Sequence, residues 1–218
     1  MENQEVMKVQ QMPRIGDMAP DFKAMTTTGE IQFSEYNKGN WVILFSHPAD
    51  FTPVCTTEMS AFAELEEEFA KWNTKLMGLS IDSIHSHVAW VNNVKKNLGI
   101  TMKFPIIADL DMKVANLYGM VQPGEAETAA VRAVFFIDPH GKIRLIMYYP
   151  LNVGRNMDEI WRALKALQTS DENGVAMPLN WKPGDKVIVP PPKTVDEMEE
   201  REKSDYEMVD FYLAKKSI

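Results

Sequence analysis

The alternation of apolar and polar residues along the chain predicts short buried strands separated by amphipathic helices. Residues 41–45 form a continuous apolar run rich in β-preferring side chains, which is typical of a strand buried on both faces. Between residues 52 and 72, by contrast, apolar side chains such as Met59, Phe62 and Leu65 recur at a spacing of three. This spacing indicates a helix with one buried face.

The same patterns continue along the chain and define a fold class. Further strands are predicted at residues 75–81, 104–108, 131–137 and 143–149, and further helices at residues 83–98, 112–118 and 157–167. The last two strands flank Asp138-Pro139-His140-Gly141, a turn sequence that favours an antiparallel hairpin. Strands that alternate with helices and end in a hairpin indicate an α/β fold, in which helices flank a mixed sheet.

The character of the chain changes after residue 174. Several prolines keep this part extended, and an acidic segment that begins at Val195 is predicted to be helical. A segment of about fifty residues is too short for an independent core. We therefore expect a main domain over residues 1–170 and a small C-terminal arm over residues 171–218, packed on the same subunit or on a neighbour.

The composition of the 218 residues is ordinary for a globular protein, with 45% hydrophobic and 25% charged residues. The formal net charge of -8 argues against nucleic acid as a partner, and much of the acidity lies in residues 195–210. Residues 1–11 lack the apolar stretch of a secretory signal, and the apolar runs are too short to span a bilayer. Together with a single cysteine, these features favour a cytoplasmic protein that has no membrane partner.

Cys55 is the only cysteine in the chain, and its neighbours suggest a reactive thiol. It is expected three residues into a helix, where the macrodipole and unpaired backbone N–H groups favour a thiolate. Asp50 or Thr52 is the expected cap of this helix, and the Thr52 hydroxyl is placed to face the sulfur across the first turn. Pro48 is placed to cover the site. The alternative is an inert buried cysteine, an interpretation that the polar neighbours disfavour.

A thiolate needs a fixed positive charge beside it. Arg132, at the start of an apolar strand, is the first candidate. Arg155, which begins the helix after the hairpin, is either a second site residue or a surface residue. Glu58 lies one turn beyond Cys55, where an unpaired carboxylate would oppose the thiolate. We therefore predict that Glu58 pairs with an arginine and orients it.

The four histidines give a weaker signal. From its position alone, His47 is either a hydrogen-bond donor near the site or a satisfied residue at the end of a strand, and the second interpretation is favoured. His85, His87 and His140 form no recognisable ligand set with His47, and no spacing of His, Asp and Glu is typical of a metal site. No metal is therefore predicted.

The motif around Cys55 points to one family. The pattern Pro48-x-x-x-Thr52-x-x-Cys55 matches the active-site motif of peroxiredoxins, and the longer string SHPADFTPVCTTE over residues 46–58 resembles the 1-Cys, peroxiredoxin-6-like subfamily. The resemblance extends over almost the whole chain. The further matching segments lie at residues 16–22, 79–83, 104–107, 132–137, 149–150, 154–156 and 181–185.

The resemblance implies a thioredoxin-like mixed sheet flanked by helices, with a C-terminal arm domain that reaches the partner in a homodimer, and in some members decameric rings. It implies a thiol-specific peroxidase that reduces hydrogen peroxide and organic hydroperoxides through a cysteine sulfenic acid, without a metal or organic cofactor. Cys55 would be the peroxidatic cysteine. The other residues that match the family's site are Pro48, Thr52 and Arg132 around the sulfur, Glu58 and Arg155 as a supporting pair, and His47, which the resemblance moves from strand end to site.

Two features depart from relatives in this subfamily. Many microbial members carry a resolving cysteine in the arm, whereas residues 208–213 here contain none. An external thiol, or a thioredoxin- or glutaredoxin-like reductant, is therefore expected to regenerate Cys55. A lipase-type activity of some animal members uses a Gly-x-Ser-x-Gly stretch, which residues 38–42 lack, so that activity is not expected.

A second function class stays open on the same fold. The chain could be a redox-sensitive chaperone or a peroxide sensor, in which oxidation of Cys55 changes assembly rather than clearing peroxide. The rate at which the reduced protein consumes stoichiometric peroxide distinguishes the two, because a slow rate, typical of an ordinary thiol, favours the sensor.

Overall fold

A computed structural model describes residues 12–218, and contacts divide the chain into two compact units, one ending at Arg155 and the other beginning at Asn156. The polar N-terminal segment, for which no secretory signal is predicted, lies outside the described residues. The predicted division between residues 170 and 171 falls inside a helix of the second unit. The assignment of separate roles to residues 1–170 and residues 171–218 stays a prediction.

The first unit contains a seven-stranded sheet. In chain order its elements are β1 (Lys23–Thr26), β2 (Gly29–Gln32), α1 (Phe33–Asn37), β3 (Trp41–Ser46), α2 (Pro53–Lys71), β4 (Thr74–Ser80), α3 (Ile84–Leu98), β5 (Ile106–Ala108), α4 (Lys113–Leu117), β6 (Arg132–Ile137) and β7 (Ile143–Tyr149). The strand order is β2-β1-β5-β4-β3-β6-β7. The pairs β3–β4 and β4–β5 are parallel and the other pairs are antiparallel. The predicted mixed sheet is confirmed.

The elements missed from the sequence are the short ones at the edge of this sheet. β1 and β2 have four residues each, of which only Thr26 is buried, so they lack the apolar run that marks a buried strand. α1, which spans five residues, was also missed. β3, by contrast, is buried at all six positions, which is why its apolar pattern predicted it almost to the residue.

The helices that flank the site begin and end at local signals. Pro53 occupies the first position of α2, where its missing N–H would have had no helical partner. Ser83 caps α3, because its side chain accepts a hydrogen bond from the Ser86 N–H at 3.2 Å. Gly99 follows the last residue of α3 with a φ of 75°, a left-handed conformation that favours glycine. These signals fix where each helix starts relative to the strand before it.

The topology brings several distant residues to one edge of the sheet. β3 and β4 are parallel, so their carboxyl ends at Ser46 and Ser80 lie at the same edge. β6 runs antiparallel to β3, so its first residue, Arg132, lies at this edge as well. β7 returns antiparallel to β6 and ends at Tyr149, which is opposite Arg132. The segment that leads to Arg155 therefore starts from the same edge.

The second unit contains α5 (Met157–Asn173), β8 (Val187–Val189), α6 (Val195–Glu202), β9 (Glu207–Asp210) and β10 (Leu213–Lys216). The three strands form an antiparallel sheet in the order β8-β10-β9. The predicted acidic helix is confirmed as α6, whereas the strands of the arm were not predicted. Across residues 12–218, we find no helix with both the length and the apolar character that a bilayer crossing requires.

Candidate active site

The reactive candidate Cys55 is the third residue of α2, and its side chain is fully buried. The Thr56 N–H donates to the Thr52 carbonyl at 3.0 Å, which is a bond of the first helical turn. The N–H groups before it belong to the helix start, where backbone donors have no partner within the helix. The sulfur therefore lies at the positive end of a 19-residue helix, as predicted.

The loop between β3 and α2, residues 47–52, holds the predicted covering residues. Thr52 is the N-cap residue by position, but its side chain makes no capping bond. Its hydroxyl instead donates to the Ala49 carbonyl at 2.9 Å, so the prediction of a side-chain cap at Thr52 was wrong. Pro48 lies in the same loop and is half-buried. Phe51 has a φ of 53°, a left-handed conformation that is strained for a bulky residue and occurs where the surrounding structure imposes it.

Arg132 lies directly against the sulfur. Its Nη1 donates to Cys55 Sγ at 3.4 Å and to Glu58 Oε2 at 2.7 Å. Its Nε and Nη2 donate to the Leu151 carbonyl at 3.0 and 2.7 Å. The guanidinium is thus held on one side by a carboxylate and on the other by the chain that follows β7.

Arg155 is a buried partner of Glu58, and the interpretation of Arg155 as a surface residue was wrong. Its Nε donates to Glu58 Oε1 at 3.0 Å and its Nη2 to Oε2 at 2.7 Å. The Arg155 backbone N–H adds a third bond, to Oε1 at 2.7 Å. Its Nη1 donates to the carbonyls of Ser46 and Ala133 at 2.9 and 3.1 Å. One side chain therefore ties β3, α2 and β6 together beneath the site.

The charges of this cluster favour an anion at the sulfur. Burial alone would raise the pKa of Glu58, but the pairing with Arg155 and, to a smaller extent, with Arg132 holds that pKa below its ordinary value of 4.5. Burial lowers the pKa of Arg155 and Glu58 opposes this shift, while a guanidinium remains charged in proteins. Two buried cations thus face one carboxylate, so the site beside the sulfur carries a net positive charge that an anion there would balance.

Two aromatic rings complete the surroundings of Arg155. The rings of Phe45 and Phe62 are stacked with centroids 3.8 Å apart. The Arg155 guanidinium carbon lies 5.3 Å from the Phe45 centroid and 5.5 Å from the Phe62 centroid, which is within the range of a cation–π contact. These rings exclude water from the ion pair, so its charges interact more strongly than they would at the surface.

His47 is fully buried directly after β3, and it belongs to a cluster that spacing did not reveal. Its Nε2 lies 3.0 Å from Asp50 Oδ1, and His87 Nδ1 lies 2.8 Å from Asp50 Oδ2. Spacing in the sequence did not bring His87 together with His47, whereas in the structure these two residues and Asp50 offer ligand atoms within 4.8 Å of one another. Asp50, which was predicted as a possible cap of α2, is instead shared by the two histidines. His85 and His140 are exposed.

An open groove of about 640 Å³ runs beside the first turn of α2. Thr52, Pro53 and Thr56 line it from the α2 side, and Trp90 and Val94 line it from α3. Pro53 and Thr56 belong to the helical turn that carries Cys55, whereas Cys55 itself does not line the groove. Sequence patterns did not predict it, because it depends on how the two helices pack.

Two family models match the chain. The model of the AhpC/TSA family matches residues 15–146, and that of the C-terminal domain of 1-Cys peroxiredoxin matches residues 166–205. Among curated relatives, a peroxiredoxin of Aquifex aeolicus is 50% identical over 97% of this chain and 100% of its own length. Peroxiredoxin 2 of Caldanaerobacter subterraneus is 54% identical over 95% of this chain and 94% of its own.

Solved structures of peroxiredoxins share the fold. A yeast mitochondrial 1-Cys peroxiredoxin, studied for its thiol resolving mechanism via glutathione and thioredoxin systems, is 44% identical with a TM-score of 0.85, over 95% of this chain and 100% of its own. A cysteine-to-serine mutant of peroxiredoxin 6 of Arenicola marina is 36% identical with a TM-score of 0.86, over 94% of this chain and 98% of its own. The predicted thioredoxin-like fold is confirmed. With both family models matched and its lone thiol held by an arginine, the chain belongs to the AhpC/TSA family of peroxiredoxins and is a thiol-dependent peroxidase.

Proposed function

We propose that Cys55 is the peroxidatic residue of this peroxidase and that Arg132 holds both the thiolate and the bound peroxide. The observation that carries this proposal is the position of Arg132 Nη1, 3.4 Å from Cys55 Sγ and 2.7 Å from Glu58 Oε2. A guanidinium so fixed can stabilise a thiolate before the reaction. It can also stabilise the charge that develops on the leaving oxygen, since both lie within reach of the same group.

The proposed reaction has two halves. The Cys55 thiolate attacks the terminal oxygen of a hydroperoxide, so that an S–O bond forms and the O–O bond breaks. Sulfur is oxidised to a sulfenic acid, and the leaving oxygen takes up one proton to become water or an alcohol. Two external thiols then reduce the sulfenic acid through a mixed disulfide, releasing water and a disulfide and returning the Cys55 thiol.

The supporting residues act on this reaction through their positions. Glu58 and Arg155 hold Arg132 in place through the buried ion pairs described above, whose geometry leaves the guanidinium few alternatives. Pro48 and Thr52 belong to the loop that precedes α2, and they shape the approach to the sulfur. His47 adds a buried imidazole to the same loop. The contacts that support these proposed roles all lie within the first unit, which ends at Arg155.

The reductant and the assembly are inferred from the lone cysteine and from the arm. A chain with one cysteine has no second thiol to resolve its sulfenic acid, which favours an external thiol or a thioredoxin- or glutaredoxin-like protein in a reducing cytoplasm. We assign the peroxidase reaction to residues 1–170 and dimerisation to the arm at residues 171–218, with a homodimer or a decameric ring as the assembly. Light scattering at several protein concentrations distinguishes these two sizes.

Replacement of the cysteine tests the central proposal. The reduced wild type is expected to consume one equivalent of hydrogen peroxide without added thiol and to gain one oxygen atom at Cys55 by mass spectrometry. Cys55→Ser is expected to consume none and to keep the thermal stability of the wild type, because serine is close to cysteine in size. Fast consumption by this variant, or oxidation of the wild type at another residue, would contradict the proposal.

A further inference from the structure

A buried carboxylate lies between two imidazoles one loop away from the cysteine. His87 Nδ1, from α3, lies 2.8 and 3.0 Å from the two oxygens of Asp50. His47 Nε2 lies 3.0 Å from Asp50 Oδ1. The side chains of His47 and His87 have no exposure and that of Asp50 is 1% exposed. A charge in such a place is stable only when it is paired and hydrogen-bonded.

The partners of His87 determine where its protons are. His87 Nε2 lies 3.1 Å from the Ile107 carbonyl, which can only accept, so this nitrogen carries a proton. His87 Nδ1 faces the carboxylate of Asp50, so a second proton must lie between them. Burial would raise the pKa of Asp50, but its hydrogen bonds to His47 and His87 hold that pKa far below its usual range. Since a carboxylate and a carbonyl can only accept, both ring nitrogens of His87 are donors, and the ring is an imidazolium.

The same carboxylate fixes the tautomer of His47. Because Asp50 Oδ1 accepts, His47 Nε2 is the donor, and its proton is directed at the carboxylate. Burial lowers the pKa of His47 and outweighs the opposing effect of Asp50, so this imidazole is neutral. His47 Nδ1 then holds a lone pair, and it is buried without a hydrogen-bond partner among the described residues.

Asp50 also anchors the backbone of its loop. Its N–H donates to Asp82 Oδ2 at 3.0 Å, and the Ser80 hydroxyl donates to the same oxygen at 2.6 Å. Asp50 is thus bonded to His47 just after β3, to Asp82 just after β4 and to His87 in α3. In the chain it lies between Pro48 and Thr52. A shift of Asp50 would move both of these residues.

We propose that His87 is a positioning residue for the peroxidase reaction: its imidazolium clamps the Asp50 carboxylate, and the clamp fixes both the loop at residues 47–52 and the tautomer of His47. This inference rests on the proposed role of Cys55, because the loop matters only if the sulfur beyond it reacts. His87 itself touches neither sulfur nor substrate. It acts through Asp50, which is 37 residues away in sequence.

Glutamine at position 87 tests the clamp, since it keeps a donor but carries no charge. His87→Gln is expected to lower the rate of Cys55 oxidation by hydrogen peroxide about ten- to hundredfold, as a small misplacement of reacting groups does. His85→Gln, on the exposed side of α3, is the matched control and should leave the rate unchanged. Asp50→Asn should lower the rate similarly, and adding His87→Gln to it should cost little more, because both changes break one clamp. Additive losses, or an unchanged rate in His87→Gln, would overturn the proposal.

Nitrogen-15 NMR of the wild-type histidines tests the clamp without any variant, and so remains decisive if His87→Gln fails to fold. At neutral pH we expect His87 to show two protonated ring nitrogens and His47 to show a proton on Nε2 alone. A neutral His87 would overturn the proposal. The proposal would also be overturned if His87 Nδ1 carried no proton in the purified protein and gained one after a metal chelator was added. That result would show that the three residues bind a metal ion. If the wild-type Cys55 reacts slowly while these protons are as expected, the proposed function fails and the clamp stands.

Discussion

Glu58→Gln is the most informative single change in the active site. Glu58 accepts hydrogen bonds from Arg132 Nη1 and from three groups of Arg155, at 2.7 to 3.0 Å. Glutamine has nearly the same shape, but one of its terminal atoms is an NH₂ group. If the glutamine oxygen takes the place of Oε1, its NH₂ group faces two guanidinium donors. The change therefore removes the negative charge and also places an NH₂ donor opposite the N–H donors of Arg132 and Arg155.

The size of the effect follows from burial. Glu58 is 5% exposed, and its removal as an anion leaves two buried guanidinium groups without a carboxylate. Loss of one partner of a buried ion pair costs about 3–5 kcal/mol. For a chain of this length, about 3 kcal/mol corresponds to a Tm lower by roughly 6–12 °C. Peroxide oxidation of Cys55 should slow as well, because Arg132 loses the carboxylate that holds its Nη1 beside the sulfur.

The pH dependence of stability isolates the ionic contribution. The pKa of Glu58 is depressed in the folded state, so its pairing stabilises the fold above the ordinary value of 4.5 and is lost as the pH falls through the lower folded value. Urea unfolding of wild type and Glu58→Gln should therefore differ most near pH 7, and the difference should shrink below about pH 4.5. Glu64→Gln, at an exposed position of the same helix, should stay within about 0.5 kcal/mol of wild type. A Glu58→Gln protein as stable and as fast as the wild type would refute the reasoning.

Two further predictions test the charge at the sulfur and the helix that carries His87. Arg132→Lys keeps the charge but loses the planar guanidinium that contacts Leu151, Glu58 and the sulfur together. Peroxide oxidation of Cys55 should therefore slow at least about a hundredfold in stopped-flow assays. Equal slowing in the exposed control Arg14→Lys would contradict this prediction. Ser83→Ala removes the cap of α3 and should lower the free energy of unfolding by about 1 kcal/mol in urea, and an unchanged midpoint would show that the cap contributes nothing.

Local patterns predicted the elements that carry the site. The run at residues 41–45 and the apolar spacing after Thr52 describe which faces of β3 and α2 are buried, and burial is what such patterns report. The pairing of Glu58 with an arginine was also predictable, because a buried carboxylate beside a thiolate requires a cation. The short, exposed β1 and β2 carry no comparable pattern.

Contacts between distant segments were not predictable from spacing. The sequence did not decide whether Arg155 is a site residue or a surface residue, because no local pattern indicates that the chain after β7 returns beneath β3. The pairing of Asp50 with His87 depends on the parallel pairing of β3 and β4, which places a loop and a helix start side by side. Thr52 was expected to cap α2, but its hydroxyl found a nearer acceptor at Ala49.

The β6–β7 hairpin makes the active site sensitive to the length of a remote turn. Arg132 begins β6 opposite Tyr149, and the pairing passes through a bulge at Ile137 before the turn. Successive strand residues point to opposite faces, so a one-residue slip in pairing turns every side chain over. Hairpin turns usually tolerate insertions and deletions, but this one, on the order of 17 Å from Arg132, sets the register of β7 against β6. Because β6 is also paired with β3, a deletion in the turn would shift β7 and the Leu151 carbonyl that accepts from Arg132, and would weaken the hold on Arg132 from a distance.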